Sequence, residues 1–462
     1  MKKWYNYIPH PVVMLFGIMV LTAILTWVIP GGKYERIMME GKAKVIPGSF
    51  SYTEANRIDP LEMFFCMPLG FKTAVDIIFI ILSSGIMFGF LQASGAIENA
   101  VGAFVKTLGE KRRILIIVTM TYLFGGLGVF MGYENNIAMV PIAALLSLAI
   151  GGDLVLAAGM AVGGITIGFG LSPFNAYTIG TAHTIAGLPL FSGALLRSIL
   201  CFFALSILTY YNVRYFKVIL KYPEKSLGLG LDTEGMALSR PLDAYQLTFK
   251  DGLILMLFVF MIFLMLYGVF EWHWYLNEIS GLFCMLAMIT AIISKMNGNE
   301  IGETTLKSVA IVAPGAFMVG FASTIKVILE NGQINDTIAH HLSQILVGLP
   351  TYLSALGMVF TQSLMNFVIP SGSGQALATL PVLLPVGDVL GLTKQTTVLA
   401  FQIGDGLTNL INPALGGLVA MIGICRVPFD RWVRFILPVL GLLLVLALFF
   451  VIISVAINYG PF

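Results

Sequence analysis

Apolar residues run along this chain in continuous blocks rather than in alternation. The blocks fall at roughly 12–30, 77–93, 114–131, 135–150, 154–187, 193–213, 252–270, 274–294, 308–325, 350–369, 375–390, 394–425 and 433–457. Such runs are long enough to cross a hydrocarbon layer as helices, and they lack the short alternating strands of a membrane β-barrel. Two blocks, 154–187 and 394–425, are too long for one simple span. The first breaks at Gly168-Phe169-Gly170-Leu171-Ser172-Pro173-Phe174-Asn175, the second at Gly404-Asp405-Gly406-Leu407-Thr408-Asn409 and Asn412-Pro413. Glycine frees the backbone and proline removes a donor, so each block predicts a discontinuous helix.

Four shorter blocks come as two pairs. Residues 114–150 are interrupted by Gly125, Gly126, Gly128, Gly132 and the polar run Tyr133-Glu134-Asn135-Asn136; residues 350–390 break at Pro370-Ser371-Gly372-Ser373-Gly374-Gln375. Each pair predicts a re-entrant hairpin, one opening inward and one outward, with its tip toward a site, because irregular backbone at membrane depth is tolerated only inside protein or beside water. A kinked ordinary helix is the bland alternative.

The polar connections set the orientation. Basic clusters at Lys106, Lys111, Arg112 and Arg113, at 214–250, and at Arg426, Arg431 and Arg434 belong on the cytoplasmic side by the positive-inside rule. Lys2 and Lys3 before the first apolar run predict an uncleaved span with the N-terminus in the cytoplasm and the C-terminus outside. Residues 31–72 read as a mixed-charge loop, and 333–346, with His340 and His341, as an amphipathic stretch in the interface. Arg197 and Lys326, near span ends, are expected to snorkel toward the interface. Asp76 starts a span, and His183 reads better as a packed, hydrogen-bonded histidine than as a proton relay.

The two halves match each other. At a shift of 240, Gly132 meets Gly372, Pro141 meets Pro381, Gly151 meets Gly391 and Pro173 meets Pro413. Upstream, Ser94-Gly95-Ala96-Ile97-Glu98-Asn99 aligns with Asn331-Gly332-Gln333-Ile334-Asn335-Asp336. Two matches in the same order at nearly the same shift indicate a repeat. Five crossings separate Gly132 from Gly372, and an odd number turns the second copy over. The expected fold is therefore an all-α multi-span membrane protein with an inverted repeat: a first copy at 1–213, a cytoplasmic linker at 214–250 and a second copy at 251–462.

Composition narrows the function. Of 462 residues 58% are hydrophobic and 11% charged, far below the ~25% of soluble domains. That excludes a soluble enzyme, and a net charge of +2 leaves no basic face for nucleic acid. Cys66, Cys201, Cys284 and Cys425 are scattered, without metal-ligand spacing. No phosphate-binding GxxxxGK[ST], dinucleotide or HExxH motif occurs, and no Ser–His pairing marks an intramembrane hydrolase. No cofactor is implied.

Charge is scarcest where the chain is most irregular. Residues 337–387 carry no Asp, Glu, Lys or Arg; Asp405 is the sole charge between Lys394 and Arg426, and Glu134 the sole charge between Arg113 and Asp153. A carboxylate inside a membrane segment costs at least about 2.5 kcal/mol and is a functional candidate by default. A neutral, hydrogen-bonded structural acid is the alternative for each. The candidate site comprises Glu134, Asn135, Asn136, Ser172, Asn175, Ser371, Ser373, Asp405, Thr408, Asn409 and Asn412. A Na⁺ near Asn175, Asp405 and Asn412, or a proton, would be the coupling ion.

The stretches "LSPFNAYTIGTAHTIAGLPLFSG" at 171–193 and "FVIPSGSGQALATLPVLLPVGDVLGLTKQTTVLAFQIGDGLTNLINPALGG" at 367–417, with "PHPVVMLFGIMVLTAILTWVIPGG" near the start, resemble the YfcC-like family of the ion transporter superfamily. That family is related to dicarboxylate carriers and arginine/ornithine antiporters. The resemblance, over essentially the whole chain, implies a bacterial inner-membrane secondary carrier, a homodimer moving as an elevator, often named for basic amino-acid antiport. One departure bears on the substrate. Relatives carry two adjacent acids at the first tip, where this chain has Glu134 followed by Asn135 and Asn136, and losing a negative charge weakens the case for a dibasic substrate. The expected activity is secondary transport of a small amino acid, with a dicarboxylate carrier and a channel as alternatives.

Overall fold

The computed structural model describes residues 11–460, apart from 40–41, 47, 55, 109–111, 132, 237–243, 273, 275 and 347–348. Lys2, Lys3, Lys111, Gly132 and Arg240 thus lie outside the described residues. Almost everything described is helical. Six helices are long and apolar enough to cross a membrane: Val75–Ala93 (α3), Arg113–Phe130 (α5), Ala194–Lys221 (α10), Leu276–Ile293 (α12), Gly298–Asn331 (α13) and Phe429–Ala456 (α19). The chain is a multi-pass membrane protein.

Helix α13 is the longest. Its 34 residues correspond to about 51 Å, well beyond a ~30 Å hydrocarbon core, and extend far past the expected 308–325 block at both ends. Asn297 and Glu300 close its N-terminus with a reciprocal capping box. Against it lie Pro11–Val28 (α1), Pro60–Thr73 (α2) and α3. Phe249–Glu271 (α11) packs on α12 and on Ala96–Leu108 (α4).

Residues 31–72 are not simply a loop. They carry two small antiparallel pairs, Gly32–Lys33 (β1) with Ser51–Tyr52 (β4) and Arg36–Met39 (β2) with Lys42–Val45 (β3), before α2 begins behind its Asp59 cap. Strands of two and four residues leave no periodic signature, so only the mixed charge of this segment is legible in the sequence. Residues 333–346 hold the helix Asn335–Gln344 (α14), which packs on β1. Helix α10 runs to Lys221, so the first eight residues of the expected 214–250 linker, Arg214 and Lys217 among them, are helical.

The remaining elements form the centre. The first long block is Leu154–Ala158 (α7), a wide turn at Gly159–Gly163, Gly164–Gly170 (α8), an interruption, a second wide turn at 176–180, and Thr181–Ala186 (α9). The second is Lys394–Thr408 (α17), an interruption, and Gly416–Ile424 (α18). Every residue of α7 and α8, and every residue of α17 after Lys394, is buried. A helix buried on all sides needs no polar face, which explains blocks with no amphipathic pattern.

Glycine is what lets these helices approach. A Cβ on Gly168 would come 2.0 Å from Gly125 O of α5, and one on Gly404 2.6 Å from Val359 O of Thr351–Val368 (α15). Small residues serve this purpose throughout membrane proteins. Similar features recur 240 residues apart. Gly151 and Gly391 both adopt left-handed φ, at +86° and +72°. Two residues on, Asp153 and Thr393 are the N-caps of α7 and α17, each accepting from the backbone N–H three residues later.

The two sequence halves do not form two separate bodies. Helices α1–α4 pack with α11–α13, and α5, Val140–Ala149 (α6) and α7 to α10 pack with α15, Gly372–Val389 (α16) and α17 to α19; the two groups meet where α13 lies along α18 and α4 against α6. Each group draws on both halves.

Candidate functional site

The two interrupted helices meet at their interruptions. A Cβ on Gly170 would stand 2.6 Å from Gly406 Cα, and one on Gly406 2.4 Å from Gly170 O. The backbones are in contact with no side chain between them, one residue before Leu171 and one after Asp405.

The first interruption is tied to the end of α5. Ser172 Oγ donates to Val129 O at 2.8 Å, and Asn175 Nδ2 to Met131 O at 3.0 Å. The second is tied in the same way to the end of α15. Asn412 Nδ2 donates to Asn366 O at 2.8 Å, and Asn412 is the position 240 residues after Ser172. Asn366 Nδ2 lies 2.9 Å from Asp405 O, 2.7 Å from Thr408 Oγ1 and 2.8 Å from Asn409 Oδ1. Asp405, Thr408, Asn409 and Asn412 therefore share one seam, with Asn366 at its centre.

Asp405 is 1% exposed. Its Oδ2 lies 3.2 Å from where a Cβ on Gly372 would be, and that same Cβ would stand 2.6 Å from Thr178 Cγ2. The carboxyl group thus sits among three elements: its own helix, the first residue of α16, and the turn after the first interruption. Asn175 reaches the same place through Thr178, whose N–H donates to Asn175 Oδ1 at 3.2 Å. Asp405 Oδ1, Thr178 Oγ1, Asn366 Oδ1 and Gln375 Oε1 are all buried without a hydrogen-bond partner among the described residues. Oxygen atoms in that state suit a hard cation or a donor-rich ligand.

Glu134 lies against the other interrupted helix. Its Oε1 lies 3.6 Å from where a Cβ on Gly417 would be, in the first turn of α18. Tyr133 packs on the same glycine and bonds Thr166 Oγ1 at 2.9 Å through its hydroxyl. Asn135 and Asn136 are buried beside it. So the tip before α6 (Val140–Ala149) touches the helix after the second interruption, and the tip before α16 touches the turn after the first.

Ser371 and Ser373 stand apart. Ser371 is exposed and caps α16, accepting from Gly374 N at 3.3 Å; Ser373 is half-buried. Ser371 and Gly374 face a cavity of about 390 Å³ that also holds Lys33, Arg36, Lys326 and Asp336. A second cavity, of about 510 Å³, reaches Ile137 and Ala138 between α3, α13 and residues 234–236.

Several contributors were missed in the sequence. Asn366 and Gln362 lie inside α15, away from any glycine or proline break, and Gln375 and Thr178 lie just after one, so no local signal sets them apart from other polar residues of an apolar block. Arg197 was misread. It does not snorkel: it is fully buried, donating to Gln402 Oε1, Gln395 Oε1 and Ser192 O. A guanidinium can turn inward when acceptors surround it, and two of the three, Gln395 and Gln402, lie about 200 positions away, out of sight of local pattern. Lys326 does reach outward, where it pairs with Glu330 at 3.6 Å. His183 is buried.

The profile of the C4-dicarboxylate anaerobic carrier family matches residues 8–456. A proposed basic amino acid antiporter of Escherichia coli (strain K12), YfcC, is 29% identical over 96% of this chain and 96% of its own. An uncharacterized protein of Haemophilus influenzae is 25% identical over 99% of this chain and 98% of its own. Among solved structures, the Alcanivorax borkumensis YdaH transporter is 16% identical over 98% of this chain and 100% of that one, with a TM-score of 0.44.

Proposed function

Because the chain belongs to the C4-dicarboxylate anaerobic carrier family, we propose that it is a secondary active transporter of a small amino acid. The observation that carries this reading is the placement of the two lone acids. Asp405 sits at the first residue of α16, and Glu134 at the first turn of α18. Helix N-termini are the usual anion sites of such a fold, and here the protein's own carboxylates stand at two of them. The arrangement therefore favours an ammonium, a guanidinium or a coupling cation beside the acids. A substrate carboxylate would draw on the amide and hydroxyl donors of Asn366, Asn175, Thr408 and Asn412 by displacing the bonds they now make to protein oxygens. Na⁺ fits the buried oxygens around Asp405, and a proton on Asp405 is the other form of coupling.

The reading includes an inverted repeat. The recurring caps, left-handed glycines and tip contacts at a 240-residue spacing support it. The two tips are then re-entrant, at about 114–150 and 350–390. Helices α5 to α10 and α15 to α19 form a transport body, and α1–α4 with α11–α13 a scaffold along which it moves as an elevator. The protein resides in a bacterial inner membrane as a homodimer, with the basic connections in the cytoplasm.

A dicarboxylate carrier is the second reading, favoured by the family match and by the nearness of Arg197 to the first interruption. A thermal-shift screen decides between them, since a ligand of the native state raises its melting temperature. Lysine, arginine, ornithine and neutral amino acids are compared with succinate, fumarate and malate, each in NaCl and in choline chloride. Stabilisation by amino acids supports the first reading. Stabilisation by dicarboxylates alone replaces it with the second. Uptake into proteoliposomes that fails to exceed equilibration would point to a channel.

A further inference from the structure

Arg197 is the only lysine or arginine among the described residues that is fully buried, and no carboxylate lies within ion-pair distance of it there. A buried charge without a counter-ion is held by dipoles. Arg197 Nε donates to Gln402 Oε1 at 3.1 Å, Nη2 to Gln395 Oε1 at 2.8 Å and Nη1 to Ser192 O at 2.9 Å, while Tyr459 places its ring 5.6 Å away.

The bond to Gln402 has a directional consequence. A guanidinium only donates, so Gln402 must turn its oxygen toward Arg197. Its NH₂ group is thereby aimed the other way, where it donates to Ser172 O at 2.6 Å. Ser172 is the residue whose hydroxyl ties the first interruption to Val129 O of α5. A continuous relay of fixed donors thus runs from α10 through α17 to the interruption. Both neighbours select the same orientation: Arg197 needs the amide oxygen and Ser172 O needs the NH₂, so the amide is held at both ends.

We propose that Arg197 is a positioning residue: acting through Gln402, it fixes the Ser172 carbonyl and so the shape of the first helix interruption. The proposal rests on reading that interruption as part of the transport site. Without the arginine, the amide loses the bond that holds its oxygen, and Ser172 O alone is left to restrain the side chain, so the donor is no longer fixed in place. A merely structural Arg197 would instead fasten only the 188–193 connection to the start of α17, through Ser192 and Gln395.

Hydrogen exchange on the detergent-solubilised full chain separates the two roles. In Arg197→Met, exchange across 171–180 is expected to rise roughly tenfold or more, because a local opening has lost its tether. Arg197→Lys keeps a donor for Gln402 and is expected to restore protection at 171–180. Gln402→Glu keeps Arg197 paired but supplies no donor to Ser172 O, so exchange should rise at 171–180 and stay unchanged at 188–200. If Arg197→Met does not fold, the lysine and glutamate variants still decide. Wild-type protection at 171–180 in Gln402→Glu, or loss confined to 188–200 in Arg197→Met, would overturn the proposal. Uptake by Gln402→Glu proteoliposomes tests the other premise: full transport with lost protection would remove the interruption from the transport site while leaving the positioning role intact.

Discussion

Asp405 Oδ2 lies 3.2 Å from the point that a Cβ on Gly372 would occupy, so the tip before α16 and the acid of α17 share one small space. The same Cβ would stand 2.6 Å from Thr178 Cγ2. Gly372→Ala should therefore crowd the carboxylate from one side and Thr178 from the other. We expect the variant to insert and fold, with uptake reduced at least tenfold. Asp405→Asn keeps the shape and removes the charge, and should abolish coupled uptake while its melting temperature stays within a few degrees of wild type. Wild-type uptake in Asp405→Asn would take the acid out of the mechanism.

The Gly170–Gly406 crossing predicts a different phenotype. The atoms that a new methyl group would meet there are backbone atoms, at 2.6 Å and 2.4 Å, and cannot move aside as a flexible side chain could. Overpacking of this kind costs about 1–3 kcal/mol. Gly406→Ala should lower the melting temperature clearly, whereas Gly252→Ala, with nothing within 4 Å of the added carbon, should not. Equal melting temperatures would mean that the helices separate at the crossing without penalty.

The contrast explains what could be read from the sequence. Helix interruptions announce themselves locally: Gly168 to Asn175 and Gly404 to Pro413 combine glycine, proline and amides within an apolar run. The first helix ends at Gly170 as expected, whereas α17 continues through Gly404–Thr408 and is interrupted only from Asn409, because glycine without proline leaves the helical hydrogen bonds intact. Two isolated acids in long uncharged stretches were equally visible. What escaped was whatever depends on a distant partner. Asn366 looks like any polar residue in an apolar helix until α17 is laid against it. Arg197 looks like an interfacial arginine until Gln395 and Gln402 surround it. Short strands such as β1 and β4 are fixed by their pairing and by α14, not by their own two residues.

The α14 region carries a pH prediction. His340 stacks on Phe50 at 4.0 Å between ring centres and shares a 3.0 Å hydrogen bond between Nδ1 and the Tyr34 hydroxyl. Asp336, which pairs with Arg36 at 2.6 Å, adds to burial in pushing the Tyr34 hydroxyl up to about 12. Burial, and then the neighbouring His341, hold His340 below its ordinary value. The folded state therefore binds fewer protons at this site than the unfolded chain. Its contribution to stability is complete above the ordinary histidine pKa of about 6.5 and is lost as the pH falls through the lowered value. Melting temperature should drop between about pH 7.5 and pH 5, and less so in His340→Gln. An identical drop in the variant would assign the acid sensitivity elsewhere.

Asp153 holds the connection after α10 and so tests where that connection lies. Its Oδ1 caps α7, accepting from Leu156 N at 2.7 Å. Its Oδ2 accepts from the Tyr215 hydroxyl at 2.6 Å, from Gly228 N at 3.2 Å and from the Ser226 hydroxyl. Asp153→Asn can keep the cap through its remaining oxygen. Its NH₂ would then face three donors, so the connection loses its anchor while the helix keeps its start. Trypsin should cut after Lys225 faster in the variant than in wild type, with little change in melting temperature. The proposed orientation adds a second condition: the cut should appear in inside-out vesicles and not in intact spheroplasts. Equal cleavage of both proteins would show that Asp153 does not restrain the connection. Cleavage from the outer face would invert the whole proposed topology.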